Sequence, residues 1–416
     1  MLKSLHRSFT LSLVALGLPV AVQAQMELAD GEGKALVEAA CVACHEPVLI
    51  PQSVGRTNEQ WRHLMSKMID LPEPLASQIA HYLATSYPHD PESERLPTLV
   101  AGDTKVVFQE WTVPTLGQRP RDPLETPDGM VWWAGMYGSI IGRLNPETGE
   151  MTEWKLDPLA RPHSITADVE GNIWYTGNGN STVGMLNPET GEITEYPMPD
   201  PAARDPHTPT FTANGDLWFT LQNSNMVGRL VPDTGDIRLM TMPTERARPY
   251  GIKVDSNGMI WIAYRGSNAI AKVDPDSWEV TEYETPNPDP DSHAGNHYVR
   301  RLALASDDSI WYVDSGRGYI GHLDPVTGEI REWPSPSGPQ SHPYAIAVVD
   351  DVVWYNESHQ RPDALVRFDP ATEEFQSWAI PSGVGIIRNM NGMQDGSLVI
   401  HQSSTNTVGI VSVASN

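Results

Sequence analysis

The sequence predicts a small all-α domain followed by an all-β seven-bladed β-propeller, and three observations carry that expectation. A tryptophan-centred unit recurs at near-constant spacing through residues 104–416, proline and glycine punctuate each copy at matching places, and a short helix-patterned stretch with both cysteines precedes the array. A period between 20 and 50 residues marks a repeat architecture, and short strands separated by turn residues mark the blades of a propeller rather than a helical solenoid.

Residues 1–24 open with Lys3 and Arg7, run apolar from Phe9 to Val22 and end in Val22-Gln23-Ala24. A basic start, an apolar run too short for a dependable span and a small-residue end form the pattern of a secretory signal peptide cleaved after Ala24. A periplasmic protein is expected, with no membrane span in its mature form. Cleavage removes Lys3 and Arg7 and no acid, taking the formal charge from −25 to −27 (−25 − 2). So acidic a surface argues against nucleic acid and anionic lipid and suits a basic partner.

Residues 25–87 read as the helical domain. Trp61, Leu64, Met65 and Met68 fall at i, i+3, i+4 and i+7, and Leu75, Ile79 and Leu83 continue an apolar face as far as Tyr87-Pro88. Before them stands Cys41-Val42-Ala43-Cys44-His45, the C-x-x-C-H attachment pattern of a c-type haem. Two thiols three residues apart on a helix can each form a thioether, and the adjacent imidazole can ligate the iron. A disulfide pair would leave His45 without a role, and a zinc site would need a second ligand pair near by. About sixty residues seldom make a stable core alone, and a tethered haem would supply the missing apolar centre. The segment resembles the small class I cytochrome c domains, which implies one covalent haem c on Cys41 and Cys44, with His45 and a downstream methionine as axial ligands. Met68 matches that pattern; Met65, or His63 or His81, are the alternatives.

Residues 88–103 are rich in proline and acid, without periodicity, and are expected to be a linker. The repeat then aligns on Trp132, Trp174, Trp218, Trp261, Trp311 and Trp354, with Val399 in the seventh place, at spacings of 42, 44, 43, 50, 43 and 45. Each unit carries a strand ending in the tryptophan, a second apolar strand, a turn such as Asn145-Pro146-Glu147-Thr148-Gly149-Glu150 and a polar outer strand. The seventh unit stops after Val408-Gly409-Ile410-Val411 without an outer strand, whereas Phe108 to Pro114, ahead of the first unit, has that pattern. The N-terminal strand is therefore expected to complete blade seven and close the ring, leaving no long free edge.

Equivalent inner-strand positions converge on a propeller's axis. Eleven residues before each Trp, or ten in the sixth unit, stand Arg121, His163, His207, Tyr250, Arg300, Tyr344 and Arg388, a polar and cationic set suited to an anionic or oxygen-rich ligand. A second ring, three residues after each Trp, holds Gly135, Gly177, Leu221, Tyr264, Asp314, Glu357 and Gln402. Polarity in this set concentrates on blades four to seven, and Asp314 is expected to join the ligand-binding ring; hydrogen bonding to adjacent loops is the alternative reading.

Pro206-His207, Met226-Val227-Gly228-Arg229-Leu230, Pro249-Tyr250-Gly251-Ile252 and Pro343-Tyr344-Ala345-Ile346 resemble the repeat of the streptogramin lyase (virginiamycin B lyase) family of seven-bladed propellers. The resemblance implies elimination by a His general base with nearby Glu and His residues and Mg²⁺. Glu357 stands where one family acid belongs, while His342 takes the place of a Glu, Tyr344 that of the base and Arg300 that of a further His. Tyr344, Glu357, Arg300 and His207 are the catalytic candidates, and a tyrosine can serve as base only with a strongly lowered pKa. The function expected from the sequence is electron transfer by a periplasmic haem protein, with a cytochrome or dehydrogenase as redox partner and a small anionic ligand at the propeller mouth. The alternatives are a lyase-like (C–O bond elimination) or hydrolytic propeller enzyme with an accessory cytochrome, and a pure electron carrier with a docking propeller.

Overall fold

The computed structural model describes residues 28–41, 50, 55–88, 95–286, 299–383 and 385–414. The signal peptide and its Ala24 cleavage point, and Cys44 and His45, lie outside the described residues.

Seven four-stranded antiparallel sheets surround one axis, confirming the all-β seven-bladed propeller. Six blades are built from four consecutive strands. The seventh takes its outer strand from Lys105–Thr112, which pairs with Thr407–Ala414 from Lys105 opposite Ala414 to Thr112 opposite Thr407. Both ends of the propeller chain thus close the ring by main-chain hydrogen bonds, and the edge that would template aggregation is used up.

The repeated tryptophan is a between-blade wedge. Trp132, Trp174 and Trp311 stack on Trp154, Tyr196 and Trp333 of their own blades' outer strands at ring separations of 5.3, 5.7 and 5.5 Å. Their polar edges are satisfied as burial demands: Trp174 Nε1 donates to Asp168 Oδ2 at 2.8 Å, and Trp261 Nε1 to Asp255 Oδ2 at 2.8 Å. Glycine recurs on the third strand because the facing ring leaves no room for a side chain; at Gly184 a Cβ would lie 2.1 Å from Tyr175 Cζ. The Asn145 turn holds itself, its side-chain oxygen accepting from the amides of Glu147 and Thr148 at 2.9 and 3.3 Å.

The N-terminal part is more modest than expected. Three short helices, α1 (Lys34–Ala40), α2 (Asn58–Ser66) and α3 (Glu73–Ser86), pack around Val37, Trp61, Leu64, Met65, Ile79 and Leu83. They do not by themselves show a distinct all-α cytochrome domain. Thr57 caps α2 in a reciprocal capping box with Gln60. The helix stops at Ser66, so Met68 lies in the following turn, half-buried against the same cluster, its amide donating to the Met65 carbonyl at 2.9 Å. His63 and His81 are exposed. None of the three helices is long and apolar enough to cross a membrane.

The helices rest on the propeller. Gly117 N donates to Lys67 O at 3.1 Å, and Lys67 Nζ reaches Thr112 Oγ1 at 3.1 Å. Gly117 has φ +66°, and a Cβ there would stand 2.5 Å from Met68 O, so this junction requires glycine on both counts. Residues 95–103 run along blade six, where Ser377 N donates to Val100 O at 2.9 Å and Val100 N to Ser377 Oγ at 2.8 Å.

Candidate active site

Each inner strand begins at one mouth of the axis, and in six of the seven blades its pairing with the next strand shifts just after that start. A bulge breaks strict alternation, so two successive residues can face the axis instead of one. The first of each pair forms the ring anticipated from the repeat. The His163 and His207 rings lie 3.6 Å apart, tilted at 38°, the His207 ring is 4.0 Å from the Tyr250 ring, and the Tyr250 and Tyr344 hydroxyls are 2.5 Å apart. The Arg300 guanidinium sits over the Tyr344 ring at 4.4 Å, and Arg388 donates to the Tyr344 hydroxyl at 3.4 Å. Arg121 closes the circle, buried, with a guanidinium nitrogen 3.2 Å from Met136 Sδ.

The electrostatics follow from this crowding. Burial alone would raise the Tyr344 phenol, but Arg300, Arg388, Arg121 and the Tyr250 hydrogen bond together pull it well below its ordinary value. Burial and the charge of Tyr344 push Tyr250 the other way, so the pair shares its protons unequally. Burial, with Arg121 next for His163 and Arg301 next for His207, holds both imidazoles well below the usual histidine range and hence neutral. His163 Nδ1, His207 Nε2, Arg121 Nε and Arg388 Nε are buried without a hydrogen-bond partner in the protein.

The second ring does different work. Glu357 is wholly buried and accepts from Ser335 Oγ at 2.6 Å, from Ser337 N at 2.9 Å and from Ser337 Oγ. Asp314 accepts from Arg317 Nε at 2.7 Å, and Tyr264 donates to Glu282 at 2.9 Å. Gly135, Gly177 and Leu221 bring no polar group to the axis, while the buried Gln402 amide has no partner. His342 lies beside the ring, 3.3 Å from Arg300 and stacked on His359 at 3.9 Å. The Mg²⁺ implied by the resemblance finds no fitting donor set: the Glu357 carboxylate is taken up by serines, and no group of three or more His, Cys, Asp or Glu among the described residues could hold a metal ion.

Sequence reasoning missed the layer beneath the ring. Asp122 and Arg301, the second residues of their pairs, meet across the axis at 2.8 Å with side chains 0 and 4% exposed. Arg301 also donates to Thr208 Oγ1 and to Arg388 O, both at 3.2 Å. Arg300-Arg301 at the head of an otherwise apolar strand was the available signal, since strict alternation would send one of the two into the sheet packing.

Taken together, these features define a seven-bladed propeller whose axial mouth couples a low-pKa phenol to fixed guanidinium charge. The chain belongs to the virginiamycin B lyase family, whose profile matches residues 100–357. Its fold is similar to virginiamycin B lyase from Staphylococcus aureus (24% identity, 74% of this chain and 99% of that one, TM-score 0.66). A catalytically inactive variant of that enzyme solved with quinupristin matches equally widely (24% identity, 74% and 99%, TM-score 0.65). The WD40 propeller domain of Doa1 is a more distant likeness (16% identity, 73% and 97%, TM-score 0.58). Comparison with the curated proteins gave no significant match. The family assignment corrects the expectation that haem-based electron transfer is this protein's function: the chain belongs to the virginiamycin B lyase family, which fits the lyase-like alternative instead.

Proposed function

We propose that the propeller is a lyase-like enzyme that breaks a C–O bond by elimination at the axial ring. Tyr344, as the phenolate, takes the proton α to a carbonyl; the C–H electron pair becomes the C=C bond, the β C–O bond breaks, and a carboxylate leaves beside Arg300 and Arg388. His163 and His207, neutral, offer hydrogen bonds to the polar parts of the substrate. The observation that supports this most is the Tyr344 hydroxyl held between Tyr250 and Arg388 with Arg300 over its ring, in a family of lyases. The test follows the rise of conjugated-product absorbance from β-acyloxy carbonyl esters. Tyr344→Phe should lower turnover by about 100-fold or more, the usual contribution of a general base; a variant as fast as wild type would remove Tyr344 from the mechanism.

We also propose that the helical segment carries one covalent haem c, with Cys41 and Cys44 as thioether residues and His45 and Met68 as axial ligands. In its support, Cys41 and Met68 pack on one apolar cluster, and the buried Trp61 Nε1 has no hydrogen-bond partner. When bound, such a haem would supply an apolar centre and a ligated iron. A pyridine haemochrome spectrum of the exported protein, absent in Cys41→Ser/Cys44→Ser, is the expected result.

A further inference from the structure

Arg300 stands over the Tyr344 ring at 4.4 Å, and a side chain from outside the ring of seven reaches its guanidinium. That side chain is His342, two residues ahead of Tyr344, whose Nε2 lies 3.3 Å from an Arg300 nitrogen. An arginine can only donate, so Nε2 must carry the lone pair.

The far edge of the imidazole gives the same answer independently. His342 Nδ1 lies 2.8 Å from Ser358 Oγ, and the single hydroxyl proton of Ser358 is committed to the His342 carbonyl, also at 2.8 Å. A carbonyl oxygen only accepts, so Nδ1 must be the donor to Oγ, which assigns its proton and leaves Nε2 bare. Burial, and next the charges of Arg300, His359 and Arg388, hold His342 well below the usual histidine range, so the ring is neutral. His359 backs it face to face, with ring centres 3.9 Å apart and planes within 8°.

Neutrality decides what this contact does. A carboxylate in the place of Nε2 would hold Arg300 as firmly, but it would cancel the charge before the phenol felt it. Arg301, one residue on, is held in that way, its charge met by Asp122 at 2.8 Å. A bare imidazole nitrogen fixes the direction of the guanidinium and leaves its full charge to Tyr344. We propose that His342 is a positioning residue: held as the Nδ1–H tautomer by Ser358 and stacked on His359, it accepts from Arg300 and keeps that cation, uncancelled, over the Tyr344 ring. The consequence for turnover rests on the reading of Tyr344 as the general base; the contact itself can be read without substrate.

Ultraviolet difference titration of the full chain follows the ionisation of Tyr344. His342→Phe keeps a ring against His359 and removes the acceptor, and it should move that step upwards by about half a pH unit or more, part of the roughly one to three that an opposite charge within about 4–6 Å supplies. His342→Gln, whose amide oxygen can replace Nε2, should bring the step back towards wild type. Arg300→Met should move it at least as far as His342→Phe, and the double substitution no further than Arg300→Met alone, because His342 acts through Arg300. Nitrogen-15 spectra of the histidine-labelled wild-type chain should show a neutral imidazole protonated at Nδ1 that is missing in His342→Gln, a result that decides the matter even if His342→Phe fails to fold. The proposal is overturned if the wild type shows no early step, if His342→Phe leaves the step in place, if His342→Gln moves it as far as His342→Phe, if the two substitutions add, or if His342 is protonated at Nε2. Failure of the elimination reading looks different: the wild type turns over no β-acyloxy ester while the titration shifts remain.

Discussion

At one mouth of the axis, guanidinium groups, phenols and imidazoles are packed against one another, most of them buried; at the other, hydroxyls, amides, an amine and the carboxylates of Glu125, Asp168, Glu170 and Asp233 surround an open cavity. Both are made by the same seven inner strands, a few residues apart. The difference is in burial. Where charge is buried and crowded, protonation states shift and acid–base chemistry becomes available; where polar groups keep access to solvent, recognition is what they can offer. The Asp122–Arg301 pair keeps the two environments apart.

Acid should disturb the buried mouth most. His401 is held at about 3 by burial, with Arg121, Arg388 and Arg301 reinforcing it and Asp122 opposing, and its Nε2 accepts the Arg388 amide at 3.0 Å. A histidine whose folded pKa is depressed binds fewer protons folded than unfolded, so its contribution is complete above about 6.5 and is lost as pH falls below it. At pH 5 the loss from His401 alone is about 2 kcal/mol (1.5 units at 1.36 kcal/mol each). His163 and His207 add in the same sense. Asp205, raised to about 6 mainly by burial, opposes them, since it takes up its proton sooner folded than unfolded. Urea unfolding at pH 7 and pH 5 should show a net loss of several kcal/mol; equal stability would mean that the imidazoles of the ring are not held neutral.

Removing the partition comes next. Asp122→Ala leaves Arg301 buried without its counter-ion and should cost about 3–5 kcal/mol, while the double substitution Asp122→Leu/Arg301→Met should recover much of that. Denaturant titration of both variants decides it, and a single variant as stable as wild type would show that the pair does not hold the axis together. A smaller effect is expected at the helix junction. Gly117→Val puts a Cβ against Met68 O at positive φ and should cost about 1–3 kcal/mol, read as a lower melting temperature.

How much of this the sequence disclosed differs by region for physical reasons. The blades were legible because a Trp wedge recurs in six of them, a third-strand glycine in five (Gly142, Gly184, Gly228, Gly321 and Gly409) and a similar turn in most, and closure was legible because an outer strand was missing at one end and present at the other. Ring membership followed from counting back to the Trp. The layer below did not, because the bulge turns Asp122 and Arg301 inward against the period of two. Glu357 read as a candidate acid, yet the serines that engage it come from the loop ahead of its blade, whose approach no spacing rule gives, while Asp314 is engaged by Arg317 only three residues on. In the N-terminal segment the period of Trp61 to Met68 implied one continuous face, whereas α2 ends at Ser66 and Met68 follows in a turn.

The finest test of the contrast between the mouths is spectroscopic. The chain has 13 tyrosines, and an ordinary phenol titrates near 10. Tyr344 is held well below that against the pull of burial, by Arg300, Arg388 and Arg121, while burial and the Tyr344 charge keep its partner Tyr250 protonated. A difference titration in the ultraviolet should therefore show about one tyrosinate per molecule formed well before the rest, and that step should be missing in Tyr344→Phe. Arg300→Met, which removes the cation lying over the ring at 4.4 Å, should move the step upwards without abolishing it. A phenolate whose folded pKa lies below its unfolded one gains stability as pH rises towards about 10, so the early step should also appear as a small rise in stability across the same range. If every tyrosine ionises together near 10, the ring mouth is only a polar plug, and its difference from the open mouth is one of packing rather than of chemistry.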